Sequence, residues 1–353
     1  MDKQTPKPLQ EAVHTLAQNG TTDFKSFLQF EEKTVIGNGS DLSDLKMWKG
    51  RAKRKIISQT MNLSLVTAVE NKGEPERKQG YWNAYHCQER LTNHNGRIHS
   101  KYCKNRFCPI CSSIRKAKII NQYLPVLKTW EAPYFVTLTV RSVPAKNLKK
   151  WIGGFKEAFT KILGRLKKRH QRGKGVRPVG IQSLECNFNP GKRTYNPHFH
   201  LIVQSEAVAE AIIKEWLLLW TPKHAIKKCQ DKQSVRNMEE CLIEVIKYST
   251  KIFTDPDVMK KGKVPQKVYA AALDNIFQAL EPHRIFDRFG FNLPKVEKQC
   301  NIQTVPDTQC EDFIYAVEVY DWISEKTGER LTGYAPTAEL HWLLSDNMDT
   351  DLE

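Results

Sequence analysis

Asn196-Pro197-His198-Phe199-His200-Leu201-Ile202-Val203 sets two imidazoles on either side of one hydrophobic residue, at the head of an apolar run. In a strand, alternate side chains share a face. His198 and His200 therefore project together, about 7 Å apart at Cβ, while Phe199, Leu201 and Val203 turn toward a core. Such a pair suits a divalent metal, although the same triplet also fits an incidental strand end. A second set of metal-ligand type lies upstream, Cys87-x15-Cys103-x4-Cys108-Pro109-Ile110-Cys111. Two thiolates spaced by two residues reach one tetrahedral ion, so Cys108 and Cys111 predict a structural zinc site. Cys87 and Cys103 would complete it, with His86, His94 and His99 as competing ligands. Four thiolates close the coordination shell, so no catalytic role is expected there.

A third group is helical. Asn237 can cap a helix, with Glu240 three residues on, and the pattern runs to about Phe253. At helical periodicity Leu242, Val245, Ile246, Ile252 and Phe253 share one side, and Glu244, Lys247, Tyr248 and Lys251 the other. One reading is a solvated face that includes a tyrosine. The chemical reading is a nucleophile. A phenol of pKa about 10 needs help to attack phosphorus. Lys247 and Lys251 would favour phenolate and hold a phosphate, and Glu244 would act as general base for a second nucleophile. With a metal on the histidine pair to polarise a phosphate oxygen, these parts describe a DNA-nicking enzyme with a phosphotyrosine intermediate.

These groups need a frame. A helix is predicted from Cys111 to about Leu127, then a β-branched and aromatic strand from Pro133 to Val140. Asn147 to His170 reads as a basic amphipathic helix, with Leu148, Trp151, Ile152, Phe155, Phe159, Ile162, Leu163 and Leu166 at helical spacing. Val179 to Phe188 reads as a strand, Asn189-Pro190-Gly191 as a turn, and Pro197 to Val203 as an antiparallel partner strand. Ala207 to Trp220 is an apolar helix, followed by a possible strand near Lys227 to Arg236 and then the tyrosine helix. The order predicts an α+β fold, an antiparallel sheet with flanking helices. Further on, Val264 to His283 reads as a helix, and Asp312 to Tyr334 as a hairpin around Lys326-Thr327-Gly328-Glu329, with Val317, Val319 and Trp322 in its strands.

Size and charge bound the rest. The 353 residues allow one large domain or several smaller ones, and no run of eighteen apolar residues predicts a membrane span. Met1 to Pro6 begins no apolar signal core, and four clustered cysteines suit metal better than disulfides, so a cytoplasmic protein is expected. The net charge of +16 implies an anionic polymer as partner, nucleic acid first. Thirteen Lys or Arg against one acid, Glu157, between Arg141 and Arg177 suit phosphate contacts. Lys46 to Lys55 (KMWKGRAKRK) is a shorter basic run, either a solvated helix face or a DNA-backbone contact. Residues 1 to about 45 are polar and irregular, with one short amphipathic turn at Phe24 to Phe30.

Thr137-Leu138-Thr139, then Pro197-His198-Phe199-His200, then Lys247-Tyr248-x-x-Lys251 resemble, in order and context, the three motifs of rolling-circle plasmid replication initiators of the HUH endonuclease superfamily. The resemblance covers about residues 85 to 253. Glu244-x-x-x-Tyr248 resembles the branch with one tyrosine and a catalytic glutamate. It implies a ferredoxin-like core, Mg²⁺ or Mn²⁺ on His198 and His200, a 5′-phosphotyrosine link and a 3′-OH primer, with Glu244 activating water at termination. It also implies a third metal ligand, for which Glu185 is the candidate; a carboxylate that only accepts a hydrogen bond from one imidazole is the alternative. Bacterial cytoplasm, plasmid origin DNA, and host helicase and polymerase follow as expected setting and partners, with no membrane; a homodimer is one open option. The expected division is an N-terminal region (1–80), a cysteine-rich segment and helix (81–127), a catalytic core (128–255) and a C-terminal region for DNA or partner binding (256–353). The rival readings are a single-strand DNA transposase of the same chemistry and a non-catalytic zinc-containing regulator.

Overall fold

The computed structural model describes residues 32–246, 266–294, 302–338 and 340. The turn expected at Phe24 to Phe30 lies outside them, as do Lys247, Tyr248, Lys251, Ile252 and Phe253.

The chain enters through strands β1 (Glu32–Ile36) and β2 (Ser40–Asp41) and the long helix α1 (Leu45–Asn71). Asp44 caps α1 by accepting from the Met47 N–H at 2.9 Å. The basic run expected as an exposed face is only partly so. Trp48, Arg51 and Lys55 are buried, because α1 packs against elements on more than one side. The Arg51 guanidinium lies 4.3 Å over the Trp48 ring. Helix α2 (Lys78–Tyr85) precedes a hairpin of β3 (Arg90–His94) and β4 (Arg97–Ser100) that the sequence pattern did not suggest. It turns through Asn95 and Gly96, both at positive φ (50° and 74°), the pairing a tight hairpin requires. Helix α3 (Pro109–Leu127) starts on Pro109, whose missing N–H costs nothing at that position.

The central unit matches its expected order. Strand β5 (Tyr134–Thr139), helix α4 (Ala145–Gln171), strands β6 (Gly180–Asn189) and β7 (Thr194–Val203), helix α5 (Glu206–Leu219), strand β8 (Asp231–Ser234) and helix α6 (Met238–Ile246) follow one another. Helix α7 (Gln266–Leu280) and strand β9 (Phe286–Phe289) come next, and the sheet order is β8-β5-β7-β6-β9, antiparallel throughout. Without β9 this is the βαββαβ arrangement of a ferredoxin-like core. The two sheet faces carry separate cores. Leu138, Leu184, Phe199 and Leu201 meet Phe155, Phe159 and Ile162 of α4 and Trp216 of α5 on the back. Ile181 and Ile202 meet Tyr123 and Leu127 of α3 and Leu242, Val245 and Ile246 of α6 on the front. Period-two alternation on β7 makes this division: Phe199 and Leu201 go back, and His198, His200 and Ile202 go front.

Strand β10 (Ile302–Pro306) pairs with β1, while β11 (Cys310–Ala316) and β12 (Asp321–Ser324) join a second sheet of order β12-β11-β3-β4-β2. The chain turns around Lys326 to Glu329 as expected, with Ile323 bridged to Arg330 and the Ser324 N–H donating to the Glu329 carbonyl at 2.9 Å. It also reverses earlier, at Val317 to Tyr320 between β11 and β12, with Tyr320 at φ 57°. Tyr315 faces Trp322 in that register, and both pack with Trp48, so burial of the aromatics overrides the strand preference of Val317 and Val319. Asp274 of α7 ties the two parts together. Fully buried, it accepts from Lys72 (2.5 Å), Arg77 and the Tyr81 hydroxyl (2.6 Å). Burial works against its charge, but these donors prevail and hold the carboxyl below its ordinary range.

Candidate metal centres

Glu185 on β6 lies directly across from His198 on β7, and Thr137 on β5 directly across from His200. Cross-strand partners share a face, so all four side chains rise from the front of the sheet. Glu185 Oε2 lies 3.0 Å from His198 Nε2 and 3.2 Å from His200 Nε2. The carboxylate is fully buried, His198 nearly so, and His200 keeps 14% of its side chain exposed, so the cluster opens to solvent on the His200 side.

The second nitrogens are held as well. His198 Nδ1 lies 2.9 Å from the Asn196 carbonyl, which can only accept, so Nδ1 carries the proton. Its Nε2 faces a carboxylate oxygen at hydrogen-bond distance. Either a proton on Nε2 or a cation held between the two groups satisfies that contact. His200 Nδ1 is 3.1 Å from Thr137 Oγ1, which fixes that ring from behind. Ligand atoms about 3.0 Å apart are the edge length of an octahedron of metal–oxygen or metal–nitrogen bonds near 2.1 Å. Glu185, His198 and His200 therefore form a group that could hold a metal ion.

Beside this core, Cys87, Cys103, Cys108 and Cys111 come together, with sulfur atoms within 4.8 Å of one another. Cys87 and Cys103 each lie 3.6 Å from Cys111 Sγ, too far for a disulfide and close to the tetrahedral edge of about 3.8 Å for metal–sulfur bonds of 2.3 Å. The competing histidines lie elsewhere: His86 Nδ1 pairs with Glu89 at 2.8 Å, and His99 packs beside Gly39. Hydrogen bonds among the thiols, that with Cys103 first, hold Cys108 below its ordinary value and raise Cys87.

Lys55 was not singled out by sequence. It is fully buried, and its ammonium donates to the carbonyls of Tyr85 (2.7 Å) and Cys87 (3.0 Å). Burial pulls its pKa down to about 8, while Glu89 and then the nearby cysteines pull it up. A cation here offsets the negative charge of a thiolate cluster. Its only sequence signal was its place in a run of basic residues. Thr137 had a better one, a polar position two residues from Thr139 on a strand that must neighbour the histidines.

Asn237 caps α6 as the sequence suggested, accepting from the Glu239 and Glu240 N–H groups at 3.1 and 3.3 Å. Leu242, Val245 and Ile246 are buried against the front face, and Glu244 is half-buried. Helix α6, described as far as Ile246, thus lies on the face that carries Glu185, His198 and His200. Toward the β6–β7 turn lies a groove of mixed lining, Ser142, Asn187, Phe188, Asn189, Pro190 and Asn196.

Fold and site together define an α+β protein with a ferredoxin-like sheet, a carboxylate–bis-histidine group on one face and a four-thiol cluster alongside. The family model described as Replication protein matches residues 96–315, and the chain belongs to that family. It is 25% identical to a Protein rep of Bacillus amyloliquefaciens over 345 residues, covering 87% of this chain and 94% of the relative. It is 31% identical to a Protein rep of Staphylococcus aureus over 168 residues, covering 42% and 69% of the two chains. A Protein rep from a Bacillus species is 28% identical over 235 residues, covering 58% and 73%. No solved structure matches the chain significantly.

Proposed function

We propose that this chain initiates rolling-circle replication of a plasmid by nicking one strand of its double-strand origin, with the chemistry of the HUH endonucleases. The observation that carries the reading is the convergence of Glu185, His198 and His200 on the sheet face against which α6, the helix leading toward Tyr248, is packed. These three residues would hold Mg²⁺ or Mn²⁺, which when bound polarises a non-bridging phosphate oxygen. Asn196 and Thr137 orient the two rings so that both Nε2 atoms stay available. The Tyr248 oxygen attacks the origin phosphorus, the bond to the 3′ oxygen breaks, and that oxygen leaves as a protonated 3′-OH primer. The product is a 5′-phosphotyrosine link. Lys247 and Lys251 offset phosphate charge and favour the phenolate. Glu244 takes a proton from water when the link is hydrolysed at termination. The four cysteines would hold structural zinc and contribute no catalytic group.

With Mg²⁺ or Mn²⁺ and supercoiled DNA carrying the origin, the wild-type chain is expected to yield a protein–DNA adduct that survives denaturation. Tyr248→Phe is expected to yield none; an adduct from it would overturn the assignment. Glu244→Ala should keep adduct formation and slow hydrolytic release, and equal loss of both steps would count against its role. A unit-length circle rather than insertion into a new target separates this reading from transposition.

A further inference from the structure

The strongest concentration of charge lies on the side of the sheet away from the metal-ligand group. Helix α4 buries Leu148, Ile152, Phe155, Phe159, Ile162 and Leu166 against the back face, and its polar arc points to solvent. At about 100° per residue, Lys146, Lys150, Lys161 and Lys168 fall within roughly 60° of one another, opposite the buried arc. All four are exposed. Arg165 and Arg169 lean toward the packed side, where they pair with the buried Glu215 of α5 at 3.2 and 2.7 Å. Those are the only acid–base pairs α4 makes among the described residues. Glu157, the one acid on the helix, sits inside the lysine stripe.

From Lys146 to Lys168 the helix rises about 33 Å, close to one turn of B-form DNA. We propose that this stripe is a duplex-DNA surface that grips the phosphates flanking the nick while the front face handles the opened strand. The proposal rests on the nickase reading and adds that the enzyme holds its substrate on two opposite faces. Charge complementarity selects the occupant: a straight row of ammonium groups with a single interrupting carboxylate matches a regular phosphate backbone and carries no base-reading geometry.

The probes are a labelled 30-base-pair duplex of arbitrary sequence and a 30-nucleotide oligothymidine, titrated by fluorescence anisotropy across a salt series. Changing Lys146, Lys150, Lys161 and Lys168 to Gln should weaken duplex binding about 100-fold or more at 0.1 M salt. The slope of log K against log salt should fall by about 3–4, at roughly 0.9 per lost phosphate contact. Oligothymidine binding should change less than threefold. Glu157→Lys, which adds a charge and removes no packing, should tighten duplex binding several-fold and raise the slope by about 1. Unchanged duplex affinity in both variants, as an acidic protein partner would give, overturns the proposal; so does equal loss on both probes. Binding needs no cleavage, so an inactive Tyr248→Phe background gives the same result and separates this test from that of the nicking chemistry.

Discussion

His198 and His200 owe their geometry to residues that make no claim on a ligand. The Asn196 carbonyl fixes one ring and Thr137 the other, and Glu185 meets both Nε2 atoms. Thr137→Val keeps the shape and removes the hydroxyl. It is expected to weaken Mn²⁺ binding 10–100-fold, read as the ion's stabilising effect on thermal melting, with the melting point of the ion-free chain nearly unchanged. The histidine pair was legible as a candidate because a two-residue period puts both rings on one face of an apolar strand, although that triplet alone also fits an incidental strand end. Glu185 was found only through family resemblance, since register decides which β6 residue faces His198, and sequence does not state register. Lys55 escaped because a lysine among five other basic residues gives no sign of which one is inside.

At the scale of elements, the ferredoxin-like run could be read because each strand and helix has a clean period. The β3–β4 hairpin and the β11–β12 turn could not, because their partners lie more than 200 residues away or within an aromatic cluster. Asp274 shows what such distant contacts contribute. Its lowered pKa means that its stabilisation is complete above the ordinary carboxyl range near pH 4 and is lost as pH falls through the still lower folded value. Asp274→Asn leaves Lys72 and Arg77 without their buried counter-charge and should cost about 3 kcal/mol. A urea titration at pH 7 measures that loss, and the difference from wild type should shrink as the pH is taken toward 2.

For the whole molecule, the cysteine cluster sits where α1, α2, α3 and the β3–β4 hairpin meet, so its ion would hold several elements rather than one loop. Metal analysis is expected to find one zinc per chain, and Cys108→Ser to lose it. Chelation should lower the melting temperature by about 10 °C or more. Stability unmoved by complete zinc removal would make the cluster a bystander.

The second sheet joins β2, β3 and β4, from the first hundred residues, to β11 and β12, from beyond residue 309. During synthesis the ferredoxin-like core has all its strands as soon as β9 has left the ribosome, whereas β3 still waits for the partner that covers its edge. Assembly is therefore ordered in time: the sheet bearing the histidines closes first, and β3 is joined to β11 last. Ribosome-stalled chains halted some forty residues past Phe289 should already protect the β5–β7 amides from exchange and leave those of β3 open.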